Sequence, residues 1–246
     1  MTVTRYTPGQ GIIYTNPNVR NVGPRSLGGV PWYLSGGIAA ANCIAAYTPK
    51  GAASLAASYD NNAAPGNGLA DGTYDCTLGV APGWDAANGW QGTGLAYLKT
   101  GIIPTDITWS AIVKMTTSNI VNNGMPFGSR VSAIANTFYV MPQGVAGAFG
   151  NVRECNASPN DDSVNTGWYG NHSLGFAGNK SYRNGLFLKN LVQSAGVATL
   201  ETYIMALNNN GVAAFIFPAA WYVSSIAFYN TTITAAQILA VHTAMP

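Results

Sequence analysis

The amino-acid sequence predicts an all-β protein: a two-sheet antiparallel sandwich or jelly roll, with an extended N-terminal arm and one short C-terminal helix. Three observations carry the prediction. Roughly ten to thirteen short apolar runs are separated by Gly, Asn and Pro turn signals. The stretch Trp221–Tyr229 alternates at period two with bulky apolar groups on both faces, which describes a central strand covered on both sides. Clear helix boundary signals occur in one place, at the end of the chain.

Composition agrees. The 246 residues suffice for one large β domain with its own core. Only 8% are charged, against about 25% in an average globular chain, while 48% are apolar. Such a chain folds rather than staying disordered. The net charge is +2 and no Lys/Arg cluster exists, so a nucleic-acid partner is not expected. No run reaches the roughly 18 apolar residues of a membrane span. The opening Met-Thr-Val-Thr-Arg-Tyr-Thr-Pro lacks the apolar stretch of a secretory signal, so the expectation is a removed leader or export without one. Cys43, Cys76 and Cys155 make neither a disulfide framework nor a zinc spacing; a Cys43–Cys76 bridge and buried free thiols both stay open.

In chain order, residues 1–36 come first. Pro8, Pro17, Pro24 and Pro31 interrupt this segment and forbid a central strand or a helix. It still carries Ile12, Ile13, Tyr14, Leu27, Trp32 and Tyr33. An extended segment with apolar anchors reads as a docking arm, or as a strap around its own domain. The domain proper is expected over 37–246. Cys43–Tyr47 is a short strand, and Ala52–Tyr59 a strand or a single helical turn. Residues 60–90 are rich in turn residues. Leu95–Leu98 is a strand. In Thr108–Met115, Trp109, Ala111, Val113 and Met115 share one face. Phe127-Gly128, Val131–Ala135 and Thr137–Met141 are shorter strands. Residues 150–173 form the most polar loop. Asn184-Gly185, between Lys180–Arg183 and Leu186-Phe-Leu188, signals a two-residue type I′ hairpin. Thr202–Leu207 and Ala213–Phe217 are joined across Asn208-Asn-Asn-Gly211.

In the last strand, Trp221, Val223, Ser225, Ala227 and Tyr229 share one predicted face, and Tyr222, Ser224, Ile226 and Phe228 the other. The helix follows. Thr234 and Gln237 have capping-box spacing, and Ile233 with Ile238 forms a hydrophobic staple. Ile238, Val241 and Met245 make its apolar stripe, and Pro246 ends it.

Several of these pieces, taken together, resemble the concanavalin A-like, laminin G-like jelly rolls. They are Trp84-Asp-Ala-Ala-Asn-Gly-Trp90, Tyr97-Leu-Lys-Thr-Gly101, Trp109–Lys114, Tyr182-Arg-Asn-Gly185 and Ile226-Ala-Phe-Tyr-Asn with Ile233–Ala240. The resemblance covers about residues 40–246. In its low charge and its Ala, Gly and Asn content the chain is most similar to the versions found in bacteriophage virion proteins. The resemblance implies two packed antiparallel sheets and a face that often binds sugars.

Hydrolytic members of that family carry paired glutamates on one strand, and retaining hydrolysis needs two carboxyls about 5–5.5 Å apart. This chain has only Glu154 and Glu201, far apart in sequence, and no Gly-x-Ser-x-Gly elbow to seat a serine nucleophile. No enzymatic activity is expected. Asp161 and Asp162 read as loop caps, or as ligands for Ca²⁺, the one cofactor worth naming. His172 falls on a loop, and His242 at the helix C-terminus faces the last carbonyls. Trp168-Tyr-Gly-Asn-His172 sets aromatic rings beside polar groups, so Trp168, Tyr169, Asn171 and His172 are the candidate glycan contacts. The functional expectation is a structural virion protein: a phage capsid decoration, head-fibre or tail-associated subunit on the virion surface. Its arm would contact other subunits, and the protein would be a homo-oligomer. The alternatives are a carbohydrate-binding module or adhesin, and a subunit of an extracellular sheath.

Overall fold

A computed structural model describes residues 29–64, 66–117, 124–131, 136–142, 152–153, 170–191, 198–219 and 221–246. Its strands are, in order, β1 (Cys43–Tyr47), β2 (Thr77–Val80), β3 (Gly83–Asp85), β4 (Gly89–Gln91), β5 (Tyr97–Lys99), β6 (Ser110–Thr117), β7 (Phe127–Arg130) and β8 (Thr137–Val140). Then come β9 (Val152–Arg153), β10 (Gly170–Ala177), β11 (Lys180–Arg183), β12 (Leu186–Asn190), β13 (Tyr203–Ile204), β14 (Leu207–Asn209), β15 (Val212–Ala214) and β16 (Tyr222–Tyr229). One α-helix, α1 (Ala235–Ala244), follows. The all-β sandwich of two sheets with a short C-terminal helix is the observed architecture.

The first sheet runs β12-β11-β10-β6-β16-β4-β3, with β1 also paired to β16. The second runs β15-β14-β7-β13-β5-β2, with β8 on β7 and β9 on β8. Pairing is antiparallel except between β14 and β7. The long strands β6, β10 and β16 form the middle of the first sheet.

Between the sheets lies an aromatic core. Phe127 and Phe138 from one sheet meet Phe176 and Phe228 from the other, with Trp90, Trp109 and Trp221 around them. The predicted face of β6 is correct: Trp109, Ala111, Val113 and Met115 all enter this core. The predicted faces of the last strand need correction. The pairing of β16 with β6 shifts register between Val223 and Ser225, so one residue is inserted there. A bulge of this kind reverses which parity faces inward. Trp221 and Val223 point into the core before it, and Ile226 and Phe228 after it.

A second cluster covers the outer face of the first sheet. Ile112, Ala227 and Tyr229 lie beneath Ile233, Ile238, Val241 and Met245. The helix is anchored as its sequence indicates. The Thr234 side chain accepts from the Gln237 amide at 3.2 Å, and the Gln237 side chain accepts from the Thr234 amide at 2.8 Å. In the β11–β12 hairpin, Asn184 and Gly185 have φ of 49° and 77°, the two positive values a type I′ turn requires. Cys43 and Cys76 are buried and free, so they form no bridge.

Candidate functional site

A concavity among the described residues lies on the outer side of the first sheet, beside the end of α1. It is a groove of about 740 Å³. Trp32, Tyr33, Thr48, Lys50 and Asn62 give it its chemistry, and small residues such as Ala52 and Ala63 leave it open.

Each wall is placed by identifiable bonds. Pro31 starts a 3₁₀ turn over Trp32–Leu34, closed by the Leu34 amide on the Pro31 carbonyl at 2.8 Å. The turn packs on the helix-covered cluster. Gly36 makes this approach feasible: its φ is 74°, and a Cβ there would sit 3.0 Å from the Ala240 methyl. The Trp32 and Tyr33 rings stand edge to face, 5.5 Å apart at 85°. The Trp32 indole donates to Thr48 Oγ1 at 3.0 Å, and the Tyr33 hydroxyl donates to the Asn62 carbonyl at 2.6 Å. The Tyr229 hydroxyl in turn donates to the Tyr33 carbonyl at 2.9 Å. Both rings are thus fixed by their polar ends.

The loop beside these rings is held by Asn61. Its carboxamide oxygen accepts from the amides of Ala46 and Ala63 at 2.9 and 3.0 Å, and its nitrogen donates to the carbonyls of Ile44 and Thr73. One buried side chain satisfies four backbone groups and so fixes the loop that carries Asn62. Among the described residues that line the groove, no side chain is a carboxylate, and Lys50 is the one charged side chain.

The residues singled out from sequence divide between two places and the undescribed segments. Trp32 and Tyr33, read as arm anchors, lie on the groove and rest on their own domain. Ile12, Ile13, Tyr14, Leu27, Asp161, Asp162, Trp168 and Tyr169 lie outside the described residues, as does Glu154. Asn171 is exposed at the start of β10. His172 is on that strand rather than in a loop, and only 3% exposed. It shares the inward face with Leu174 and Phe176. Burial pushes its pKa down to about 4; a 3.0 Å contact from Nδ1 to the Gly170 carbonyl works against this, and the Arg183 charge adds to it. The ring is neutral near pH 7 and turned away from any surface ligand.

His242 does not cap the helix carbonyls. Its Nδ1 lies 2.8 Å from Ser173 Oγ, and burial followed by the Lys114 charge lowers its pKa. Ser173 is 1% exposed, so the pair lacks the accessibility a nucleophile needs. Glu201 accepts from the Gly101 amide at 3.1 Å. Among the described residues, no group of three His, Cys, Asp or Glu side chains could hold a metal.

Sequence reasoning missed Thr48, Lys50 and Asn62 as site residues. They stand in loops, and nothing local marks them. The only available signal was Pro31-Trp-Tyr-Leu followed by Gly36-Gly37, which announces two aromatics on a tight turn.

No protein-family model matches the chain, and no curated protein matches it. Solved structures do resemble it. One is domain 4 of AbnA, a GH43 extracellular arabinanase from Geobacillus stearothermophilus, in complex with arabinotriose. It is 14% identical with a TM-score of 0.55, over 81% of this chain and 98% of that one. Another is a mutant of Trypanosoma rangeli sialidase displaying trans-sialidase activity, 12% identical with a TM-score of 0.46, over 82% of this chain and 33% of that one. A mutant of the NanB sialidase from Streptococcus pneumoniae is 12% identical with a TM-score of 0.41, over 65% and 28%. The chain thus spans a whole domain of the first and about a third or less of either sialidase. At these identities the likeness is one of fold: the β-sandwich found in glycoside hydrolases. The expectation of a phage virion subunit is corrected: the fold is that of a domain of an extracellular arabinanase, and no virion component is among the structures named here.

Proposed function

We propose that this chain is a non-catalytic carbohydrate-binding module whose ligand lies along Trp32 and Tyr33. The observation that carries the reading is the groove itself. Two aromatic rings, immobilised by their own hydrogen bonds, stand beside Thr48, Lys50 and Asn62 in a space of about 740 Å³. Aromatic rings offer a surface for the C–H face of a pyranose or furanose, and hydroxyl, amide and ammonium groups bond its hydroxyls. Rings fixed in advance lose little entropy on binding. Most glycoside hydrolases use a second kind of wall, with two carboxyl groups about 5–10 Å apart. No such pair of side chains is present among the described residues that line the groove. The likeness in fold to an arabinanase domain solved with arabinotriose supports the same reading.

A glycan array followed by titration calorimetry tests it. Trp32→Ala should weaken binding of the best array ligand by about tenfold or more, on the order of 1.4 kcal/mol. Trp32→Phe, which keeps a ring, should retain most of it. Circular dichroism melts of both variants separate lost binding from lost fold. An array with no ligand, or a folded Trp32→Ala variant that binds as wild type, would reject the reading.

A further inference from the structure

We infer that the saccharide taken by this groove is acidic, carrying a carboxylate or sulfate group, and that Lys50 is the residue that holds the anion. The inference rests on the module reading above and adds the class of ligand.

Lys50 is half-buried, and its position is fixed through the backbone around it. The Trp84 indole donates to the Pro49 carbonyl at 2.8 Å, the Lys50 amide donates to the Ser224 carbonyl at 3.2 Å, and the Gly51 amide donates to the Ala86 carbonyl at 2.8 Å. Three consecutive residues are therefore tied to β3, to the turn after it and to the bulge of β16. The backbone of Lys50 is thereby fixed at the groove wall, and its flexible stem carries the ammonium group from that point.

A second cation stands behind the same wall. Lys114 projects from β6 and donates from Nζ to the Met245 carbonyl at 2.8 Å. Met245 lies between Ala244 and Pro246, both of which line the groove. The two ammonium groups feel each other: burial and then the Lys50 charge lower the pKa of Lys114. Among the described residues that line the wall, no side chain is a carboxylate. Asp85 is next to the lining Ala86, but its carboxylate is turned back on its own hairpin, accepting from the Ala87 and Asn88 amides at 2.9 and 2.8 Å. A concave, partly desolvated surface that carries Lys50, with Lys114 behind it and no carboxylate side chain among its described lining residues, concentrates positive potential. A lysine ammonium answers a carboxylate or a sulfate as a point charge without demanding bidentate geometry. Beside the Trp32 and Tyr33 rings, the ligand that satisfies both features is a sugar that bears its own negative charge.

The experiment is an array of matched neutral, carboxylated (uronic and sialic) and sulfated oligosaccharides, with poly-glutamate as a polyanion control, repeated with Lys50→Gln and Trp32→Ala. The expected result is preferential binding of acidic members that weakens with added salt. Lys50→Gln should lose about tenfold on those members and bring them level with their neutral counterparts, while Trp32→Ala loses acidic and neutral binding alike. Binding of neutral glycans with no acidic preference overturns the inference and leaves the module reading standing. Equal binding of poly-glutamate also overturns it, since the surface would then read charge without sugar. A silent array rejects both.

Discussion

The first sheet buries its two faces by opposite means. On the inner face, the rings of Phe127 and Phe228 meet edge to face at 5.2 Å, and those of Phe138 and Phe176 at 5.1 Å. No polar atom takes part in these contacts. On the outer face the same strands present hydroxyl and amine groups. Ser110 Oγ donates to the Thr231 carbonyl at 2.7 Å, Lys114 reaches the Met245 carbonyl, and Ser173 meets His242. The inner face is closed by dispersion and exclusion of water, which hold sheet against sheet wherever large side chains interlock. The outer face is closed by specific bonds to particular backbone carbonyls, which hold a helix and a turn in one position. The first arrangement supplies stability and leaves no space. The second supplies position, and between the elements it positions the groove remains.

The largest expected effect tests the inner face. Phe138→Ala removes a ring that touches Trp109, Phe127, Phe176 and Phe228. It should cost about 3–5 kcal/mol in urea unfolding, as cavities in closed cores do. A loss below about 1.5 kcal/mol would show that the core can collapse around the gap, and the contrast between the faces would fail.

An intermediate effect comes from His172, a titratable residue on the inner face. Its pKa falls from the ordinary 6.5 to about 4 in the folded protein. The unfolded chain therefore takes up the proton first as the pH drops. Stability contributed by keeping this ring neutral is present above about pH 6.5 and is lost progressively down to about pH 4, by at most about 3 kcal/mol. Urea unfolding between pH 7 and pH 4 should show that slope, and His172→Gln should flatten it. An unchanged slope in the variant would assign the acid sensitivity to other groups.

The smallest effect belongs to the outer face. Thr234→Ala opens the capping box of α1 and should cost about 0.5–2 kcal/mol. Because the helix end forms part of the groove, the same variant should weaken saccharide binding if the helix frays. Stability lowered with affinity unchanged would mean the groove does not depend on how α1 begins.

What could be read from sequence follows the same division. Local chemistry was visible. The reciprocal Thr234–Gln237 bonds, the Ile233–Ile238 staple, the Asn184-Gly185 turn and the inward face of β6 each depend on residues a few positions apart. The bulge in β16 was not visible, because strict alternation fits the residues equally well and only pairing with β6 forces the extra residue. Strand β10 was hidden by its own composition: Gly170, Asn171, Ser173 and Gly175 suggest a loop. Gly175 belongs in the middle of the sheet because a Cβ there would lie 2.5 Å from the Ala111 carbonyl oxygen. The groove was hidden for a third reason. Trp32, Thr48, Lys50, Asn62 and Ala244 come together only in the folded chain, and no spacing along the sequence encodes that meeting.

The bond from the Tyr229 hydroxyl to the Tyr33 carbonyl joins positions 196 residues apart. Contacts of that span form late and slowly, since the intervening chain must be ordered before they are rewarded. Because β16 is also a central strand of the first sheet and pairs with β1, the sandwich core and the binding surface are completed together. Recognition would switch on in the final steps of folding, when the closing strand and its helix receive the Trp32–Leu34 turn. A sugar bound there would in turn act as a clasp between early and late segments, slowing global unfolding more than a ligand held within one hairpin.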